Sequence, residues 1–170
     1  LDNGLEAYLI SDPDSNNSGA ALSVQVGHWA DPKDVPGMAH FIEHMLFLGT
    51  EDFPQETGYS GFIKERNGNI NAYTGDDRTV YGFSVVNDSF SEALTRFSRL
   101  FINPLFSESS FKREMHAIDQ ENASYKENDD RKAMMVMKEL GNKHHPYVRF
   151  GAGNMSTLKN VTKEDLEGWF

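Results

Sequence analysis

His40-Phe41-Ile42-Glu43-His44 is the stretch of this chain whose residue types and spacing can do chemistry. On a helix, residues four apart sit about 40° apart around the axis, so both imidazoles leave one face a turn apart. Two neutral ring nitrogens at that spacing can reach one Zn²⁺ at about 2.0–2.1 Å. Glu43 lies at the flank of that face, where a carboxylate can reach a water at the metal without ligating. The order is H-x-x-E-H, two ligands and a base. Chance yields it in roughly one chain of this size in a few hundred. The bland alternative is a pair of core histidines beside an acid. It would bury three ionisable groups on one crowded apolar helix, which costs several kcal/mol unless they are paired.

A catalytic zinc usually takes three protein ligands. The third can come from the segment around Phe111, which runs Arg113-Glu114-Met115-His116-Ala117-Ile118-Asp119-Gln120-Glu121. Glu114 and Glu121 are seven apart and share a helical face. One could ligate the metal while the other orients a histidine ring. Spacing alone does not choose between them.

These residues need a scaffold. Met38 to Leu48 is apolar at nearly every other position and predicts a buried helix. Leu5 to Ile10 alternates weakly and is strand-like. Ala20 to His28 carries Leu22, Val24 and Val26 at period two, the pattern of a half-buried strand. Glu56 to Asn67 predicts a second helix, stopped by Asn67-Gly68. Asn69 to Thr74 and Thr79 to Val86 flank a Gly75-Asp76-Asp77-Arg78 turn and predict an antiparallel hairpin. Asp88 or Ser89 can cap a helix through Phe101, with Phe90, Leu94, Phe97, Leu100 and Phe101 on one stripe. Phe111 to about Asn128 and Lys132 to Leu140 predict two more. Thr162-x-x-Asp165 reads as a capping box for a last helix. Strands come first, then helices and a hairpin, so the class is α+β.

The chain has 170 residues, of which 38% are apolar, enough to bury a core and to exclude disorder as a whole-chain state. Lys and Arg number 16 against 26 Asp and Glu, a formal charge of −10 with no basic block. Nucleic acid and anionic lipid are therefore not expected partners. The absence of cysteine removes disulfides, zinc fingers, iron–sulfur clusters and a thiol nucleophile. No apolar run approaches a membrane span, and the opening LDNGL is no signal peptide. The chain thus favours the cytoplasm without fixing a compartment. It lacks an initial Met and ends at Trp169-Phe170 inside a predicted helix, which reads as a piece of a longer protein.

From the opening Leu1-x-Asn3-Gly4-Leu5 to its end, the chain resembles the insulinase-type zinc metalloendopeptidases, the group of insulysin, nardilysin and pitrilysin. The carrying residues are His40 to Thr50 (HFIEHMLFLGT), Asn71 to Thr74 (NAYT), Asn103 to Phe106 (NPLF), and Arg113-Glu114 followed by Ala117-Ile118-Asp119 and Glu121. His145-Pro146 and Phe150-Gly151-x-Gly153-Asn154 follow. HFIEHMLFLGT and NPLF favour this subgroup over the mitochondrial processing peptidases. The resemblance implies an antiparallel-rich mixed sheet with helices on one face. It implies that residues 1–170 are the N-terminal zinc-bearing peptidase domain of a longer, multi-domain protein. His40, His44 and Glu121 would ligate one Zn²⁺, Glu43 would be the general base, and Glu114 would support the site without touching metal. Asn71, Ala72 and Tyr73 would pair with a substrate peptide as an edge strand. From local sequence alone, an ordinary hairpin strand is the preferred reading of those three.

The expected activity is zinc-dependent peptide cleavage. The alternative is a non-catalytic homologous domain with a structural or peptide-binding role, against which the intact H-x-x-E-H and Glu121 argue. Other features take plainer readings. His144-His145-Pro146 is a turn, and Gly151-Ala152-Gly153 lacks the context of a phosphate loop. Met134, Met135 and Met137 are helix packing, and His116 is exposed. Trp29, just past a strand, packs near the site without a mechanism.

Overall fold

The computed structural model describes residues 1–170. Strands β1 (Asn17–Val24), β2 (Asn69–Thr74) and β3 (Thr79–Val86) form one sheet in the order β1-β3-β2. Both pairings are antiparallel; β1 aligns Leu22 with Tyr81, and β2 aligns Ala72 with the same Tyr81. The turn closes with Gly75 N–H donating to the Arg78 carbonyl at 2.8 Å. Central β3 alternates, and Thr79, Tyr81, Phe83 and Val85 are buried. That face is covered by helices, which is the α+β arrangement the sequence predicts.

The helices are α1 (Met38–Leu46), α2 (Gly58–Lys64), α3 (Phe90–Arg99), α4 (Glu108–Tyr125), α5 (Asp129–Leu140), α6 (Met155–Leu158) and α7 (Lys163–Trp169). Aromatic rings join the sheet to α3 and the turn after it, with Phe83 and Phe97 centroids 5.1 Å apart and Tyr81 and Phe101 5.0 Å apart. Phe41 of α1 meets Phe111 of α4 edge-on at 5.5 Å. This contact holds the helix of the two histidines against the helix of the two glutamates. The Thr162–Asp165 capping box is present at α7.

Four expectations need correction. Leu5 to Ile10 forms no strand, and Tyr8, Leu9 and Ile10 are exposed. Weak alternation there has no partner edge to pair with and no face to bury. The first strand begins at Asn17 and ends at Val24. After it the chain turns to the hairpin, with His28 and Trp29 N–H groups donating to the Gly75 and Asp76 carbonyls at 3.0 and 2.8 Å. On α3, Leu94 is exposed while Ala93, Phe97 and Leu100 are buried, so the apolar stripe is narrower than its sequence suggests. The methionines of α5 do not pack: Met134, Met135 and Met137 are all exposed, and only Lys138 of that helix is buried.

The start of α1 is held by one side chain from outside it. Its cap is Gly37, at φ 98°, which offers no side-chain oxygen. The buried Asp31 carboxylate supplies two acceptor oxygens instead, accepting from Gly37 N–H at 2.7 Å and Ala39 N–H at 2.9 Å. These are two of the donors a helix N-terminus leaves without partners. Asp31→Ala is expected to lower folding stability by about 1–3 kcal/mol, because both donors lose a charged acceptor in a buried setting. Urea denaturation of the variant and the parent chain measures this.

Candidate metal centre

Helix α1 is buried on most sides, yet it carries His40, Glu43 and His44. Their polar atoms are accounted for one by one. His40 Nδ1 lies 2.7 Å from the Ala152 carbonyl oxygen. A carbonyl only accepts, so Nδ1 holds the proton and Nε2 keeps its lone pair. His44 Nδ1 lies 3.3 Å from Glu114 Oε2, which likewise leaves Nε2 free. Both free nitrogens face Glu121 Oε2, at 3.5 Å from His40 and 3.7 Å from His44.

Those separations are too long for good hydrogen bonds. They are close to the about 3.3–3.4 Å between neighbouring ligand atoms of a tetrahedral zinc with bonds of about 2.0–2.1 Å. Ligand atoms from His40, His44 and Glu121 all lie within 4.8 Å of one another. Two neutral imidazoles and one carboxylate are a donor set suited to zinc. The three residues therefore fit a divalent cation by chemistry and by spacing.

Glu114 and Glu121, equivalent by sequence spacing, are separated by geometry. Glu114 sits behind His44, with Arg113 Nε donating to its other oxygen at 3.2 Å. The His44 hydrogen bond, aided by Arg113 and opposed by burial, holds its carboxyl below the usual carboxylate range. Burial alone would depress His44. The Glu114 hydrogen bond and the charges of Glu121, Glu43 and Glu114 outweigh it and raise its pKa. The surroundings are thus rich in negative charge and favour a cation.

Glu43, on the same helix, reaches the sheet with one of its oxygens. Thr74 Oγ1 donates to its Oε2 at 2.5 Å. This leaves Oε1 as the oxygen that can exchange a proton. Thr74 ends β2, and β2 is an edge strand. Asn71 and Tyr73 are exposed on it, Ala72 packs against the core, and one side of its main chain has no strand beside it. The open edge was invisible in the local sequence.

Two parts of the site escaped sequence reasoning. One is Thr74, although it stands in NAYT. The other is the Ala152 carbonyl. The segment that carries it approaches α1 through paired glycines: Gly37 and Gly153 both have positive φ, and a Cβ on Gly37 would collide with the Gly153 backbone. Asp119 of α4 then holds the following turn by accepting from Met155 N–H at 2.9 Å. The spacing Gly151-x-Gly153 was the available signal. His116 and His145 behave as expected. His116 is exposed, and His145 Nδ1 accepts from Tyr147 N–H at 3.1 Å in its turn. Trp29 packs edge-on against His145 at 5.0 Å.

Comparison with known proteins gives the family of the chain. The family profile described as Insulinase (Peptidase family M16) matches residues 7–149. The insulin-degrading enzyme of Drosophila melanogaster is 45% identical over 163 residues, 96% of this chain and 16% of that protein. Insulin-degrading enzyme-like 1, peroxisomal, of Arabidopsis thaliana is 45% identical over 158 residues, 93% of this chain and 16% of that protein. The crystal structure of pitrilysin superposes with a TM-score of 0.93 at 32% identity, covering 99% of this chain and 18% of that one. The chain thus spans about a sixth of the length of the curated relatives it matches. No helix is long and apolar enough to cross a membrane.

Proposed function

The chain belongs to the insulinase family of peptidases, and from that premise we propose that residues 1–170 form the zinc-bearing domain of a zinc-dependent endopeptidase. One observation carries the reading. The free Nε2 atoms of His40 and His44 converge on Glu121 Oε2 while a carbonyl and a carboxylate occupy both Nδ1 positions. His40, His44 and Glu121 would hold one zinc ion, which would supply Lewis acidity to activate a water near neutral pH and polarise a peptide carbonyl.

The chain's own residues do the rest. Glu43 Oε1 takes the proton as the water oxygen bonds to the carbonyl carbon. It then gives that proton to the amine nitrogen as the C–N bond breaks. Thr74 holds Oε2, so the carboxylate presents one oxygen in one orientation. Ala152 and Glu114 fix the tautomers and ring planes of His40 and His44. Asn71, Ala72 and Tyr73 offer main-chain groups to an extended peptide lying along β2, which runs towards Glu43. The partners are peptide substrates and, given the 16% span, further domains of a longer protein. A domain that only bound peptides would have no use for a base poised beside a metal-ligand set.

Metal removal tests this. Dialysis of the complete polypeptide against a chelator is expected to abolish peptide cleavage, and one equivalent of zinc to restore it. Elemental analysis of the 170-residue chain should find one zinc. Cleavage that survives metal removal overturns the reading.

A further inference from the structure

A cavity of about 740 Å³ opens beside the metal centre. Thr74, Ala152 and Asn122 are among the residues that line it. Thr74 holds Glu43, Ala152 holds His40, and Asn122 follows Glu121 in α4. A peptide on the β2 edge that reaches Glu43 therefore brings a neighbouring residue to its mouth. The volume falls in the range of small-ligand pockets.

Its charge is opposite to that of the chain. Lys126, Arg131, Lys132 and Lys138 line it against a single acid, Asp76, in a protein of net charge −10. His28 adds no charge at neutral pH, because burial pushes it down to about 4. Two of the four cations are committed within the chain. Lys138 Nζ is 3.4 Å from Asp76 Oδ1, and Lys132 Nζ is 2.8 Å from Asp129 Oδ1. Lys126 and Arg131 form no ion pair, unlike the other two. Arg131 is held ready: its guanidinium carbon sits 4.3 Å over the Tyr125 ring, and its main-chain N–H is tied to Asn128 Oδ1 at 3.0 Å. A guanidinium and an ammonium without ion-pair partners, lining one cavity, are suited to receive a carboxylate.

We propose that this cavity is a substrate subsite that binds a peptide carboxylate next to the scissile bond through Arg131 and Lys126, so that the protein prefers acidic substrates there. The carboxylate can come from an Asp or Glu side chain or from a peptide C-terminus. The proposal rests on the peptidase reading above and deepens it. The −10 net charge would by itself favour basic peptides, so the cavity predicts the opposite sign locally.

The test uses the complete zinc-loaded polypeptide and peptides acetylated and amidated at their ends. Glu and Gln are compared at each of three positions on either side of the cleaved bond. A second pair compares a free with an amidated C-terminus. In at least one arm kcat/KM is expected to favour the carboxylate by about tenfold or more, equivalent to about 1.4 kcal/mol. The ratio should fall to near one in the Lys126→Gln/Arg131→Gln double variant, and shrink as salt screens the charges. The side-chain and terminal arms identify the source of the carboxylate. Cleavage with no carboxylate preference in either arm, or a preference that survives in the double variant, overturns the subsite while leaving the peptidase reading intact. If no peptide is cleaved, that reading fails instead. The same pairs are then compared for binding to the Glu43→Gln protein by fluorescence anisotropy, and equal affinities overturn the subsite.

Discussion

Glu43→Gln is expected to keep one bound zinc and lose about 10²–10⁴-fold in kcat for peptide cleavage. The substitution is close to isosteric at a buried position, and the amide carbonyl of Gln can still accept from Thr74 Oγ1. The Thr74 contact and the packing of α1 therefore survive. What goes is the oxygen that accepts a proton, since an amide does not at neutral pH. The proposed metal-ligand set does not include Glu43, so zinc content should be unchanged by elemental analysis. The paired result matters more than either half. Lost cleavage with lost zinc would make Glu43 a structural support. Retained cleavage with retained zinc would remove it from the reaction altogether.

The chemistry of this site was more legible in the sequence than its assembly. His40, Glu43 and His44 lie within five residues, so helix periodicity alone puts them together, and the apolar run around them forecasts burial. Glu114 and Glu121 are different. Their common face is local, but which one faces the free Nε2 atoms depends on how α4 lies across α1, where Phe41 packs against Phe111. Ala152 contributes a carbonyl, which no residue type advertises, and it arrives from 112 positions away. The edge status of β2 is likewise a property of the whole sheet, since β1 takes the other side of β3. The same physics explains the misreadings. Leu5 to Ile10 and the methionines of α5 have apolar residues without a neighbouring surface inside this chain. Periodicity reports what a segment can bury and says nothing of whether a partner is present.

Glu121→Gln should produce the largest change in metal binding. Glu121 supplies the only charged donor of the three, and its side chain is 42% exposed near the end of α4. Exposure makes the substitution mild for the metal-free fold, within about 0.5 kcal/mol of the parent. The consequence for zinc is severe, because a neutral amide is a poor ligand and the site loses the charge that balances the cation. Removing a residue that merely orients a ligand costs about 10–100-fold in affinity, so losing the ligand itself should exceed 100-fold, and Glu114→Gln should cost less. Folding reads the same number independently of catalysis. Zinc stabilises the chain by RT ln(1 + [Zn]/Kd), so a 100-fold weaker Kd removes about 2.7 kcal/mol of stabilisation at fixed, saturating free zinc. The zinc-induced rise in melting temperature should therefore collapse in Glu121→Gln while the metal-free melting temperature stays put. A full zinc shift in that variant would mean that the third ligand is another group, and the free Nε2 atoms of His40 and His44 would then need a different partner.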